Sequence, residues 1–328
     1  MTAPTEFSAP LSSPASHADA GPVPGPGPNL DPSLGPQGGP APDGPILLAT
    51  DLSARCDRAL DRAVVLAKAR GVPLIALHVL ESEPATASPS APSWRRFSED
   101  HRALARYRLG LDLDDPALSA DIHVESGEAS ERIVALARQY GCSLIITGIA
   151  RDESLGKLLL GSTVKKLVRH VSVPVLVVKN RPHGPYREAV VATDFSPESR
   201  HALQVAAALF PSTSLLLFHA YDTPFGMRRL AEGLGEDAQR DAQREMDEFL
   251  AATPGLPAGV PAGTLVKDGE PETLLSDYVF AQRCEMVVAG TRRIKGIMGA
   301  MVGSVAERLL EALPCDVLLV RDAEPEAR

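Results

Sequence analysis

Leu144-Ile145-Ile146-Thr147-Gly148-Ile149-Ala150-Arg151, with its continuation to Gly161-Ser162, decides the fold of this chain. An apolar run of this length ending in glycine reads as a buried strand that stops at a turn, and Gly-Ser reads as a helix start. The same construction returns at Met286-Val287-Val288-Ala289-Gly290, passes Arg293 and reaches Gly303-Ser304. Both copies run Gly, two residues, Arg, nine residues, Gly-Ser, and they lie 142 residues apart. The chain is a duplication.

Upstream of each copy, Ile46-Leu47-Leu48-Ala49-Thr50-Asp51 and Ala189-Val190-Val191-Ala192-Thr193-Asp194 are continuous apolar runs ending in aspartate, as expected of parallel strands covered on both faces. Ser53 is placed to cap the next helix, which carries Leu60, Val64 and Ala67 on one face and stops at Gly71. In the second unit Ser196-Pro197 supplies the cap and a first-turn proline, and Leu203, Ala206 and Phe210 the apolar face. Residues 74–79 and 215–219 are second strands. An amphipathic helix through Leu104 and Tyr107, and a long one running to about Leu250, follow them. Third strands end at Gly127-Glu128 and Gly269-Glu270, where each glutamate precedes a helix and suits its dipole. Ile133, Val134 and Ala137, then Val164, Leu167 and Val168, mark later helix faces, and residues 174–178 and 317–320 are fifth strands.

Strand and helix alternate throughout, which predicts α/β architecture: two tandem doubly wound domains, each with a five-stranded parallel sheet. They are expected over 45–180 and 188–322, with a linker over 180–187 too short to let them drift apart, so they pack as an internal pseudo-dimer. Residues 1–44, dense in Pro and Gly, read as a disordered tail.

A net charge of -9 in 328 residues argues against nucleic acid as the main partner. No apolar run approaches the roughly 20 residues that span a bilayer, and the N-terminus lacks a signal core, so a cytoplasmic protein is expected with no membrane partner. Cys56, Cys142, Cys284 and Cys315 show no CxxC spacing and read as buried, reduced thiols. His78 and His219 end equivalent strands without a second ligand at metal spacing, so they read as structural. Lys179 and Arg321 read as solvated strand ends.

In an open parallel sheet, ligands gather at the carboxyl ends of the strands where strand order reverses. Asp51 and Asp194 end their first strands there, and Gly148 and Gly290 their fourth. Gly161-Ser162 and Gly303-Ser304 then open helices whose amides and dipole suit a phosphate. Each aspartate either accepts hydrogen bonds from a nucleoside or forms an Asx turn. Each glycine makes room for a ligand or only for a tight turn, and each Gly-Ser binds phosphate or only caps.

Taken together, these residues resemble the universal stress protein family over nearly all of 45–321. The family motif is Gly, two residues, Gly, nine residues, Gly-Ser or Gly-Thr, after a first strand ending in Asp. The resemblance implies a fold of the adenine nucleotide α-hydrolase-like type and, as in some members, ATP binding, with magnesium alongside it. It places Asp51 and Asp194 on the nucleoside and Val79 against the base. Gly148 and Gly290 fall near ribose and phosphates, and Gly161, Ser162, Gly303 and Ser304 on the phosphate tail. Arg151 and Arg293 depart from the pattern, standing where the second glycine is expected. Their side chains either fill the phosphate space or bind phosphate in bidentate fashion. Between Arg and Gly-Ser the first loop adds Asp152 and Glu153 against Lys157, whereas the second adds Lys295 and no acid, so the second site is expected to hold anions better.

The turn after the first strand lacks a Rossmann fingerprint, no P-loop occurs, and the third strands are read as ending in Gly127-Glu128 and Gly269-Glu270, where a phosphoacceptor domain needs an aspartate. Two readings remain: a nucleotide-binding stress regulator, or a ligand-free scaffold acting through protein contacts. Weak ATPase or autophosphorylating activity ranks below both, and pairing of the pseudo-dimer into a true homodimer is left open.

Overall fold

Ten short strands rich in Val, Ile and Leu, separated by amphipathic helices, can bury their apolar faces only as a sheet covered on both sides. The computed structural model has that arrangement. It describes residues 42–54, 56–80, 101–149, 161–221, 234–291 and 304–321. The first half runs β1 (Ile46–Thr50), α1 (Asp57–Arg70), β2 (Leu74–Leu80), α2 (His101–Asp112), β3 (Ala120–Ser126), α3 (Ala129–Gln139), β4 (Leu144–Gly148), α4 (Ser162–His170) and β5 (Val175–Val178). The second repeats it as β6 (Glu188–Ala192), α5 (Pro197–Leu209), β7 (Ser214–Tyr221), α6 (Leu234–Ala251), β8 (Gly263–Asp268), α7 (Pro271–Gln282), β9 (Met286–Thr291), α8 (Ser304–Ala312) and β10 (Asp316–Arg321).

Within each half the strands are parallel, in the order 3-2-1-4-5 and its equivalent. The halves do not merely touch. β5 and β10 pair antiparallel, Val317 opposite Val177 and Leu319 opposite Val175, so the two sheets form one ten-stranded sheet in the order β3-β2-β1-β4-β5-β10-β9-β6-β7-β8. Alternate residues of the strands face opposite layers. Leu48, Ile146, Leu176, Leu318 and Val288 share a core with residues of α1, α2, α5 and α6. Leu47, Ile145, Val177 and Val317 share the other with α3, α4, α7 and α8. Both cores continue across the seam.

Buried polar groups mark the seam. Asp316 is fully buried and accepts from Tyr186 Oη at 2.6 Å and from the amides of Lys179 and Asn180 at 2.8 and 3.0 Å. Arg62 of α1, only 2% exposed, lies over the Tyr186 ring at 3.9 Å and donates to the Gly184 carbonyl at 2.8 Å. The linker is therefore clamped from both sides. The equivalent positions in the duplication are Val205 for Arg62 and Pro174 for Asp316, so this cluster exists once.

Several local expectations change. Lys179 is no solvated strand end: it is 5% exposed, and its Nζ donates to the Leu310 and Leu313 carbonyls at 2.6 Å each. The last carbonyls of α8 have no intrahelical donor, and a cation from the other half satisfies them. Burial lowers the pKa of this lysine to about 8. Ser53 does not cap α1. That helix begins at Asp57 after Cys56, whose amide donates to the Ser53 carbonyl at 2.8 Å. Its buried stripe is Ala59, Arg62, Ala63, Leu66 and Ala67, with Leu60 and Val64 only partly covered. In α2 the buried residues are Ala105 and Leu109, and Tyr107 points outward.

Gly71 in the left-handed region and Ser196 accepting from the Ser199 amide are as read from sequence. Glu128 caps α3 through the Glu131 amide, and Lys166 of α4 is the main cause holding its carboxyl down at about 2. The four cysteines are free and buried. Among the described residues no helix is long and apolar enough to cross a membrane. The tail expected over 1–44 lies almost wholly outside the described residues.

Candidate functional site

Strand register brings the predicted residues of the first half to one level. Thr50 pairs with His78 on β2, and Ala49 with Thr147 on β4, so Asp51, Val79 and Gly148 follow at the carboxyl ends of three adjacent parallel strands. Strand order reverses between β1 and β4, the place where open α/β sheets leave a crevice. The second half repeats this: Ala192 pairs with Phe218 and Ala289, setting Asp194 and Gly290 at the same level. Because α4 follows β4 with the opposite chain direction, Gly161-Ser162 also belongs to this edge of the sheet.

The turn after each first strand is built in the same way. Leu52 and Phe195 have φ of 59° and 63°, a left-handed conformation that costs a bulky side chain on the order of 1 kcal/mol. Two side chains hold it there. The threonine hydroxyl accepts from the amide two residues on, Thr50 from Leu52 at 3.1 Å and Thr193 from Phe195 at 2.9 Å. The aspartate accepts from the serine amide two residues on, Asp51 from Ser53 at 2.8 Å and Asp194 from Ser196 at 3.1 Å. Both aspartates form Asx turns, and both are exposed to the crevice side. Burial opposes ionisation of Asp51, but hydrogen bonding from Ser53 and Cys56 outweighs it and keeps the carboxyl below its ordinary 3.8.

His78 and His219 support the same turns. Their Nδ1 atoms lie 3.0 and 2.8 Å from the carbonyls of Thr50 and Thr193. A carbonyl only accepts, so Nδ1 carries a proton and donates it to the turn. Sequence reasoning gave these histidines a structural role but missed the threonines and the strained residues. The repetition of Thr-Asp-X-Ser in both units was the signal available.

Gly290 has a packing reason. A Cβ there would lie 2.7 Å from the Glu198 carbonyl oxygen and 3.0 Å from the Ser199 nitrogen, so the strand end presses on the first turn of α5. Gly161 precedes α4 with no side-chain cap, and Ser162 is exposed, so this helix start keeps its amides clear of side chains of its own segment. Val79 is half-buried. Arg151, Arg293 and Gly303 lie outside the described residues, as does the side chain of Ser304. A cavity of about 210 Å³ adjoins the first turn but is lined by Thr50, Leu52, Asp57, Leu60, Arg108, Leu111 and Asp112, none of them a predicted ligand residue. No cluster of metal-ligating side chains occurs among the described residues.

A family model described as the Universal stress protein family matches this chain twice, over residues 44–179 and 185–321. Universal stress protein G of Shigella flexneri is 33% identical over 131 residues, which cover 38% of this chain and 88% of that protein. A universal stress protein of Mycobacterium tuberculosis is 24% identical over 297 residues, covering 85% of this chain and 97% of that protein. Among solved structures, a universal stress protein from Archaeoglobus fulgidus matches with a TM-score of 0.62 at 19% identity, covering 86% of this chain and 99% of that one.

Proposed function

This chain belongs to the universal stress protein family, with two of its domains in tandem, and on that premise we propose that it is an adenine-nucleotide-binding stress-response regulator of the cytoplasm. The observation that carries the reading is the twice-built turn: an exposed aspartate, held by a strained residue and a threonine hydroxyl, at the switch point of each half. Strain of this kind concentrates at binding sites, where the surrounding structure maintains it. In the first half an uncapped helix start belongs to the same sheet edge and fits a phosphate.

In this reading Asp51 and Asp194 hold the nucleoside, Val79 lies against the base, and Gly148 and Gly290 adjoin ribose and phosphates. Gly161, Ser162, Gly303 and Ser304 bind the phosphate tail with Arg151 and Arg293, and any magnesium would be held through the phosphates. The second half, with Arg292, Arg293 and Lys295 in its loop, holds the nucleotide more tightly. Occupancy there acts on the first half because α8 begins at Ser304 and ends under Lys179. No hydrolytic step is assigned, since no general base is identifiable among the described residues.

One observation favours the ligand-free scaffold instead: contact with α5 explains Gly290 without a nucleotide. Calorimetric titration of the intact chain with ATP separates the readings, and the continuous sheet is the reason to keep the chain whole. Gly303→Val is expected to abolish the tighter binding, and Gly161→Val to leave it. Arg293→Gly strengthens binding if the arginine obstructs and weakens it if the arginine is a ligand. Absence of binding at millimolar ATP in the unmodified chain would leave the scaffold.

A further inference from the structure

The cavity of about 210 Å³ beside the first turn lies on the other side of the sheet from the proposed nucleotide crevice. Val79, which the nucleotide reading sets against the base, packs on the core shared with α3 and α4. Leu52 and Leu60, two walls of the cavity, pack on the core shared with α1 and α2. The cavity therefore opens in the opposite layer, between the start of α1 and the end of α2. Its volume falls below the roughly 300 Å³ at which drug-sized ligands begin to fit, so it suits a small metabolite.

The second half fills the corresponding space. Counting from the shared Thr-Asp-X-Ser, Phe195 stands in place of Leu52 and Arg200 in place of Asp57. Phe195 packs on Phe249 in the last turn of α6 with ring centroids 5.6 Å apart, and Arg200 lies over the Phe249 ring at 5.1 Å. Leu203, the counterpart of Leu60, is fully buried there, whereas Leu60 is only partly covered. The same framework is closed by aromatic rings in one half and left open in the other.

The lining of the open space is chemically divided. Leu52, Leu60 and Leu111 form an apolar surface, and Leu111 is 60% exposed. Asp57 in the first turn of α1 and Asp112 at the end of α2 bring carboxylates from two elements, and Arg108, one turn before Asp112, brings a guanidinium. Among the described residues no ion pair engages any of these three charges, although Arg108 and Asp112 have helical spacing for one. Unmatched charges of both signs around one apolar surface suit a molecule that carries an ammonium, a carboxylate and a hydrocarbon body.

We propose that this cavity binds a small zwitterion with an aliphatic body, the chemistry of an apolar α-amino acid. Its ammonium meets Asp57 and Asp112, its carboxylate the Arg108 guanidinium, and its side chain the three leucines. The inference is independent of nucleotide binding. Calorimetric titration of the full chain with L-leucine, isopentylamine and isocaproate tests it, the last two each lacking one charged group. L-leucine is expected to bind at one site, roughly tenfold tighter than either analogue and equally well with ATP present. Arg108→Gln should weaken L-leucine roughly tenfold without weakening the amine, and Asp57→Asn with Asp112→Asn should do so without weakening the acid. Asp57→Arg with Asp112→Phe, which introduces the residue types that close the second half, should abolish L-leucine binding at an unchanged melting temperature. Absence of L-leucine binding at millimolar concentration, displacement by ATP, equal affinity for the three compounds, or variants that bind as the unmodified chain does would overturn the proposal.

Discussion

The Arg62 guanidinium lies 3.5 Å from the Asp316 carboxylate, joining the first helix of one half to the last strand of the other, with side chains 3% and 0% exposed. Burial pushes the Asp316 carboxyl up from its usual range, and the Tyr186 hydroxyl, two linker amides and Arg62 pull it back toward the ionised form. Removing one member of such a group strands the others away from water, which costs more than the intact group contributes.

Asp316→Ala is therefore expected to lower stability by about 3 kcal/mol, and Tyr186→Phe by about 1 kcal/mol. Arg62→Met together with Asp316→Asn should recover part of the loss, since neither member of the ion pair is then left buried opposite an absent partner. Urea denaturation of the unmodified chain, Arg62→Met, Asp316→Asn and the double variant measures it, and additive losses would show that the pair is not coupled.

Lys179 makes the seam sensitive to alkaline pH in a particular sense. Its folded pKa, lowered by burial to about 8, lies below the usual lysine value of 10.5. Between these values the unfolded chain binds more protons than the folded one, so the contribution of this group to stability rises with pH across that window. The gain is at most about 3 kcal/mol, reduced by the two carbonyl bonds that favour the charged form. The stability difference between the unmodified chain and Lys179→Met should shift in favour of the former from pH 8 to pH 10. A difference that is flat with pH refutes the depressed value.

Gly290→Ala tests the packing account of the motif glycine. Its methyl group would overlap the backbone of Glu198 and Ser199, which cannot rotate away as a side chain tip can. A loss of about 1–3 kcal/mol is expected from overpacking, read from thermal melts without any ligand. Unchanged stability with lost ATP binding would instead give this glycine to the ligand.

Duplication, the alternation of strand and helix, and the level of Asp51, Asp194, Gly148 and Gly290 were legible because they rest on local pattern and on topology, which parallel α/β units leave little freedom to vary. The faces of α1 and α2 were misjudged for a shared reason. Periodicity reports how much apolar surface a helix carries, not which neighbour will cover it. Arg62 was read past because a charged residue is expected outside, and partners far away in sequence, Asp316 at 254 positions together with Gly184 and Tyr186, make its burial tolerable.

Taken alone, the order of residues determined that there are two units and that each is a parallel α/β sheet. These follow from short-range steric and hydrophobic preferences repeated in both copies. Only the tertiary structure decided that the units share one sheet, that Lys179 closes a helix of the opposite half, and that a single polar cluster breaks the symmetry of the duplication. Each of these depends on which surfaces meet, and no local window of sequence contains both partners.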